Sequence, residues 1–188
     1  MPVSGLLEEV ERLDIAAYAA VARTPTPSLD AALARLSSVA DHSKLWLGVA
    51  GVLALAGGPK GRRAAASGLA GVGVASAVVN VAVKPLWRRS RPDRVLQEVP
   101  LARHVPMPGS TSFPSGHSAS AFAFATGVAH VMPGAGVPVR ALAALVAYSR
   151  VHTGVHYPGD VIAGSLTGGA LAQITTHVLD RHGRGRRR

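Results

Sequence analysis

The sequence predicts an all-α fold: an integral-membrane helical bundle of about five core membrane helices, with amphipathic helices at its N-terminus. Two observations carry the prediction. Of 188 residues, 48% are hydrophobic and only 16% charged, and the mean hydropathy is +0.26, a balance tilted toward lipid. Uncharged apolar runs then recur along the chain, beginning at 45–59 and 64–83. The absence of cysteine excludes thiol catalysis, disulfides and thiolate metal sites.

Residues 5–22 set Leu6, Val10, Leu13 and Ala17 at helical spacing against Glu8, Glu9, Glu11 and Asp14, an amphipathic pattern that should lie on a surface. No basic stretch leads into an apolar one there, so no cleaved signal is expected. Thr24-Pro25-Thr26-Pro27 breaks the helix, and Ser28 is a candidate N-cap for a second over 29–40. Neither segment shows recognisable chemistry, and 1–43 is read as an N-terminal interfacial unit. The membrane domain is assigned to 44–180. Its first run is short and its second long enough to span, with Lys60, Arg62 and Arg63 expected in a basic turn between them. Runs 117–132, 138–152 and 160–179 supply three more helices, rich in the small residues that permit close contacts in a bilayer. Residues 93–113 form a long connection of the kind that is often functional.

A net charge of +10 suits nucleic acid, anionic headgroups or a phosphorylated substrate, and its distribution decides among them. The expected basic turn, Arg140 and the tail at 181–188 fall on one side of the bundle, which marks that side as cytoplasmic and the tail as a topology anchor rather than a nucleic-acid arm.

Three polar segments gather at the opposite ends of the apolar helices. In Lys84-Pro-Leu-Trp-Arg-Arg-Ser-Arg91-Pro92, Lys84 offers a point charge and Arg91 a planar fork of donors, which suit the oxygens of a phosphoryl group. In Pro114-Ser115-Gly116-His117, a helix start exposes backbone N–H groups, Ser115 adds a hydroxyl, and His117 can supply a proton. In Ser149-Arg150, five residues, His156, three residues, Asp160, a helix begun at Pro158 would turn the Asp160 carboxylate back to His156. Such a pairing fixes the tautomer of an imidazole and leaves its other nitrogen free to attack. His42, His130 and His177 are read as packing or interface residues, and His104 and His152 are left outside the site.

Together these segments carry every fixed position of the signature of the type 2 phosphatidic acid phosphatase family, which the chain resembles over 84–160 by motif and about 45–179 by hydrophobic layout. The resemblance implies that His156 is the nucleophile of a phosphohistidine mechanism, Asp160 its orienting partner and His117 the general acid. It implies Lys84, Arg91 and Arg150 as a phosphate clamp completed by Ser115 and the Gly116 backbone, with no metal or other cofactor. The implied function is removal of phosphate from a membrane lipid phosphate or diphosphate, such as phosphatidate, phosphatidylglycerophosphate or a polyprenyl diphosphate, by a multi-pass protein whose site faces the extracytoplasmic side. The partners are the lipid substrate and the bilayer, not nucleic acid. Alternatives of the same superfamily are a vanadate-dependent haloperoxidase and a soluble acid phosphatase; a membrane protein with a dead site is the non-enzymatic one.

Overall fold

A computed structural model describes residues 3–185, with side chains for 5–182. Seven α-helices run as α1 (Val3–Arg23), α2 (Pro27–Val39), α3 (Lys44–Ala56), α4 (Gly58–Ala77), α5 (Gly116–Val131), α6 (Pro133–His152) and α7 (Pro158–Gly185), with no strand among the described residues. The tail expected at 181–188 continues α7 as far as Gly185, and Arg186, Arg187 and Arg188 lie outside the described residues.

Helix α5 is the axis of the bundle, packed on α4, α6 and α7, while α3 lies on α4, and α1 and α2 lie against α6. In a bilayer, lipid tails are as apolar as Leu, so helix association depends on close contact rather than on escape from water. The sequence supplies that contact. A Cβ on Gly127 of α5 would stand 2.6 Å from the Ser67 carbonyl oxygen of α4, and one on Gly168 of α7 would collide with the Ala119 carbonyl of α5. Where backbones diverge, Trp46 of α3 and Phe124 of α5 fill the space with ring centroids 5.3 Å apart.

Helix α4 continues through a π-turn at Val78–Val83 and a 3₁₀ turn at Lys84–Leu86. The whole stretch, Gly58–Leu86, is 29 residues with a hydropathy of 1.8 in its most apolar window, long and apolar enough to cross a membrane. Helices α2 and α3 reach that standard only together, bent by 67°. At 16 residues, α5 is about 24 Å long and short of a ~30 Å hydrocarbon core. Among the described residues one helix alone, Gly58–Leu86, has the length and composition of a span, or two if the bent pair counts as one.

Several local expectations change. Lys60, Arg62 and Arg63 lie inside α4, because the chain reverses earlier, at Gly57 and Gly58 (φ +58°), and Pro59 opens the new helix. Helix α2 starts at Pro27 with Thr26 as its N-cap, since Pro is favoured at the first helical position; Ser28 is already helical. Helix α6 likewise begins at Pro133 and carries Pro138 inside it. On α1 the apolar stripe does not face the bundle: Leu6, Leu7, Val10 and Leu13 are exposed, while Tyr18 and Ala22 are buried. Arg103 of the long connection is fully buried. Its five N–H donors are all engaged, by Asp30, Thr26 and the carbonyls of Val21, Ala22 and Thr24, which ties the 93–113 connection to the α1–α2 corner.

Candidate active site

Three chain reversals bring the polar segments together. At the end of α6, Gly154 (φ +68°) takes the left-handed position of a Schellman cap: Val155 N donates to the Arg150 carbonyl and Gly154 N to that of Val151. The reversal delivers His156, 1% exposed, to the floor of a cavity of about 210 Å³. At the start of α5, Ser115 caps the helix, its Oγ accepting from Ser118 N at 3.4 Å and from Ser118 Oγ at 3.0 Å, and Gly116 and His117 face the same cavity. The widened end of α4 contributes Asn80 and Lys84.

Around His156 the hydrogen bonds specify the tautomer. Asp160, in the first turn of α7, places Oδ2 3.5 Å from His156 Nδ1. The same oxygen accepts from Ser112 Oγ at 2.5 Å and from Tyr157 N at 2.9 Å. Since the Ser112 hydrogen is used there, its Oγ is an acceptor toward Nδ1 at 3.3 Å. Nδ1 therefore carries the ring proton. On the other side Arg91 Nη1 lies 3.2 Å from Nε2, and an arginine only donates, so Nε2 presents a lone pair toward the cavity side. Burial, with the positive fields of Arg91 and Arg150 added, drives the His156 pKa down to about 3 against the support of Asp160. The ring is therefore neutral at physiological pH, with the Nε2 lone pair unprotonated.

Arg91 is held in a planar cradle by the carbonyls of Ser110 (2.9 Å), Thr111 (3.2 Å) and Val155 (2.7 Å). Lys84 Nζ donates to Ser110 Oγ at 3.0 Å. With no Asp or Glu in its lining, the cavity is an anion site. His117 lines it and binds Asp41 Oδ1 through Nε2 at 2.7 Å.

The structure brings Lys84, Arg91, Gly116, His117 and His156 to one cavity. Asp160 stands behind His156. Ser115 and Arg150 do not line the cavity: Ser115 Oγ is committed to the cap, and Arg150 Nη1 donates to Ser37 Oγ at 2.6 Å, with Asp41 3.9 Å away. Sequence reasoning passed over Asp41, Ser112, Asn80 and Arg89, and it set His42, which lines the cavity, among packing residues. It also read the first forty residues as chemically silent, whereas Asp14 and Ser37 reach the site's arginines from there. The motif spacing gives no signal for Asp41, Ser112, Arg89, Asp14 or Ser37, because each acts on a partner far away in the chain, whereas Asn80 donates to the Ser76 carbonyl four residues back.

A family model described as the PAP2 superfamily matches residues 64–184. The chain is 35% identical over 190 residues to a decaprenylphosphoryl-5-phosphoribose phosphatase of Mycobacterium tuberculosis, a match covering 97% of this chain and 100% of that protein. Its backbone is similar to Aquifex aeolicus LpxE, with a TM-score of 0.72 and 23% identity over 88% of this chain and 95% of the other. A transmembrane PAP2-type phosphatidylglycerolphosphate phosphatase of Bacillus subtilis aligns with a TM-score of 0.69 and 22% identity, over 92% and 87% of the two chains. Motif-bearing segment, backbone architecture and a relative matched over nearly the whole chain agree: this chain is a phosphatase and belongs to the PAP2 superfamily.

Proposed function

We propose that the enzyme removes a phosphate monoester from a polyprenyl-linked sugar phosphate through a phosphohistidine on His156. The observation that carries the chemistry is the lone pair of His156 Nε2 beside Arg91, in an anion cavity shared with Lys84 and His117. In the first step Nε2 forms a bond to phosphorus, the bond from phosphorus to the substrate oxygen breaks, and His117, in the imidazolium form supported by Asp41 and by the phosphate's own negative charge, gives that oxygen its proton. In the second, His117 takes a proton from water, the water oxygen attacks phosphorus, and the P–N bond breaks to release phosphate and neutral His156. Asp160 supports the imidazolium charge of the intermediate. Lys84, Arg91 and the Gly116 N–H neutralise the peripheral oxygens, where phosphoryl transfer gains most of its acceleration. Arg150, which donates to Ser37 and lies outside the cavity lining, contributes its positive field at His156.

The substrate class is supported by the relative matched over 97% of this chain, a coverage that takes in most of the N-terminal segment, where α1 and the α2–α3 corner supply Asp14 and Asp41. A groove of about 770 Å³ walled by Leu7, Val10, Leu13, Trp87, Phe113 and Ile162 gives an apolar chain a place outside the small polar cavity. The arginines of α4 stand at the end remote from the site, which favours an extracytoplasmic site.

The test is phosphate release in detergent, with chelator present, from decaprenylphosphoryl-5-phosphoribose, phosphatidate, phosphatidylglycerophosphate and undecaprenyl diphosphate. The polyprenyl sugar phosphate is expected to turn over fastest and His156→Ala to lose at least about a thousandfold, the scale of removing a nucleophile. Activity surviving in His156→Ala would refute the phosphohistidine, and preference for a glycerolipid would refute the substrate.

A further inference from the structure

We infer that Asp14 and Arg89 are positioning residues for the reaction, so that helix α1 completes an active site whose signature lies entirely in residues 84–160. The inference rests on His156 being the nucleophile. Arg89 Nη1 donates to two carboxylates at once, to Asp160 Oδ1 at 2.9 Å and to Asp14 Oδ2 at 2.7 Å. The other oxygen of Asp14 accepts from the backbone N–H of Gly159, at the start of α7, at 2.6 Å. All three side chains are largely withdrawn from solvent, at 18% exposure for Arg89, 9% for Asp14 and 0% for Asp160. The Arg89 guanidinium is further fixed 4.2 Å above the Tyr157 ring.

This arrangement has two effects on His156. The first is geometric. Ser112 and the Tyr157 N–H hold Asp160 Oδ2 toward Nδ1, and Arg89 is the side chain that holds Oδ1 on the far side of the carboxylate. The second is electrostatic. Arg89 alone would draw on the Asp160 charge that must stabilise the imidazolium formed when Nε2 bonds to phosphorus. Asp14 offsets Arg89, so the row Asp14, Arg89, Asp160 keeps a net charge of one negative unit behind His156. The other cations acting on His156 are Arg91 and Arg150. Position 159 is glycine where a Cβ would come 2.8 Å from Asp14 Oδ2, so the start of α7 is shaped to receive that carboxylate.

The experiment measures kcat, KM and the acid side of the pH–rate profile for Asp14→Asn, Arg89→Gln, Asp14→Glu and His156→Ala, on whichever phosphate of the panel above the wild type hydrolyses fastest. Losing an outer partner of a catalytic group lowers activity by about 10–100-fold. Asp14→Asn and Arg89→Gln are expected to lose kcat on that scale with KM little changed, and Asp14→Glu to recover part of the loss. The two neutral variants should move the acid limb in opposite directions by roughly one pH unit. Asp14→Asn leaves a cation uncompensated and disfavours imidazolium, so its limb shifts to lower pH, and Arg89→Gln shifts it higher. A purely structural role would lower both activities without opposed shifts, and that result, or wild-type kcat in both variants, would overturn the inference. Wild-type activity in His156→Ala would instead remove the reading on which it stands.

Discussion

His156 is held as a neutral imidazole by burial, and this has a consequence for stability as well as for catalysis. Its pKa is about 3 in the folded protein, against ~6.5 for an unperturbed histidine in the unfolded chain. Between those values the unfolded state binds more protons, so stability rises with pH there and is lost as pH falls from about 6.5 toward 3. The unfolding midpoint in detergent should therefore drop between pH 7 and pH 5, and drop less in His156→Gln, which carries no titrating group. Equal drops in the two proteins would contradict this account. At the same scale, legibility in the sequence follows distance along the chain. Lys84, Arg91, His117, His156 and Asp160 sit in short segments whose internal spacing signals chemistry. Ser112 and Asp41 gain meaning only from partners 48 and 76 residues away, and no local pattern encodes such a pairing.

Among the helices, glycine has opposite consequences on different faces. Gly127 meets α4 backbone to backbone, so Gly127→Ala must push α4 and α5 apart and should cost about 1–3 kcal/mol. Gly73, with nothing within 4 Å of its would-be Cβ, should gain up to ~1 kcal/mol as alanine from helix propensity alone. Thermal unfolding of the two variants reads the contrast directly, and a stabilised Gly127→Ala would disprove the close-contact reading. Helix positions were legible because uncharged runs and Pro starts mark them. The boundaries that shifted, at Gly57–Gly58 and Pro27, depend on where a glycine reverses the chain or a proline opens a helix. The outward apolar face of α1 was not legible, because periodicity defines a stripe but not what the stripe faces. Here Asp14, read from the sequence as part of a solvent face, is the residue that turns inward.

For the whole molecule, the cysteine-free sequence makes orientation measurable without background labelling. Arg63, on the first part of α4, and Leu101, on the connection beside the site, are both exposed and stand at opposite ends of the bundle. With the site outside, a membrane-impermeant maleimide applied to intact cells should label Leu101→Cys and leave Arg63→Cys unmodified until the membrane is opened. The reverse pattern would place the site inside.

The backbone contacts of α5 also limit how the enzyme can be redesigned. Where Gly127 meets α4 and Gly168 meets α5, even one methyl group has no room, so the helix crossings have no spare volume in which to enlarge the substrate cavity. A library aimed at new substrates belongs in the 93–113 connection and the rim residues His42, Ser43 and Pro108, where side chains can grow without moving a helix.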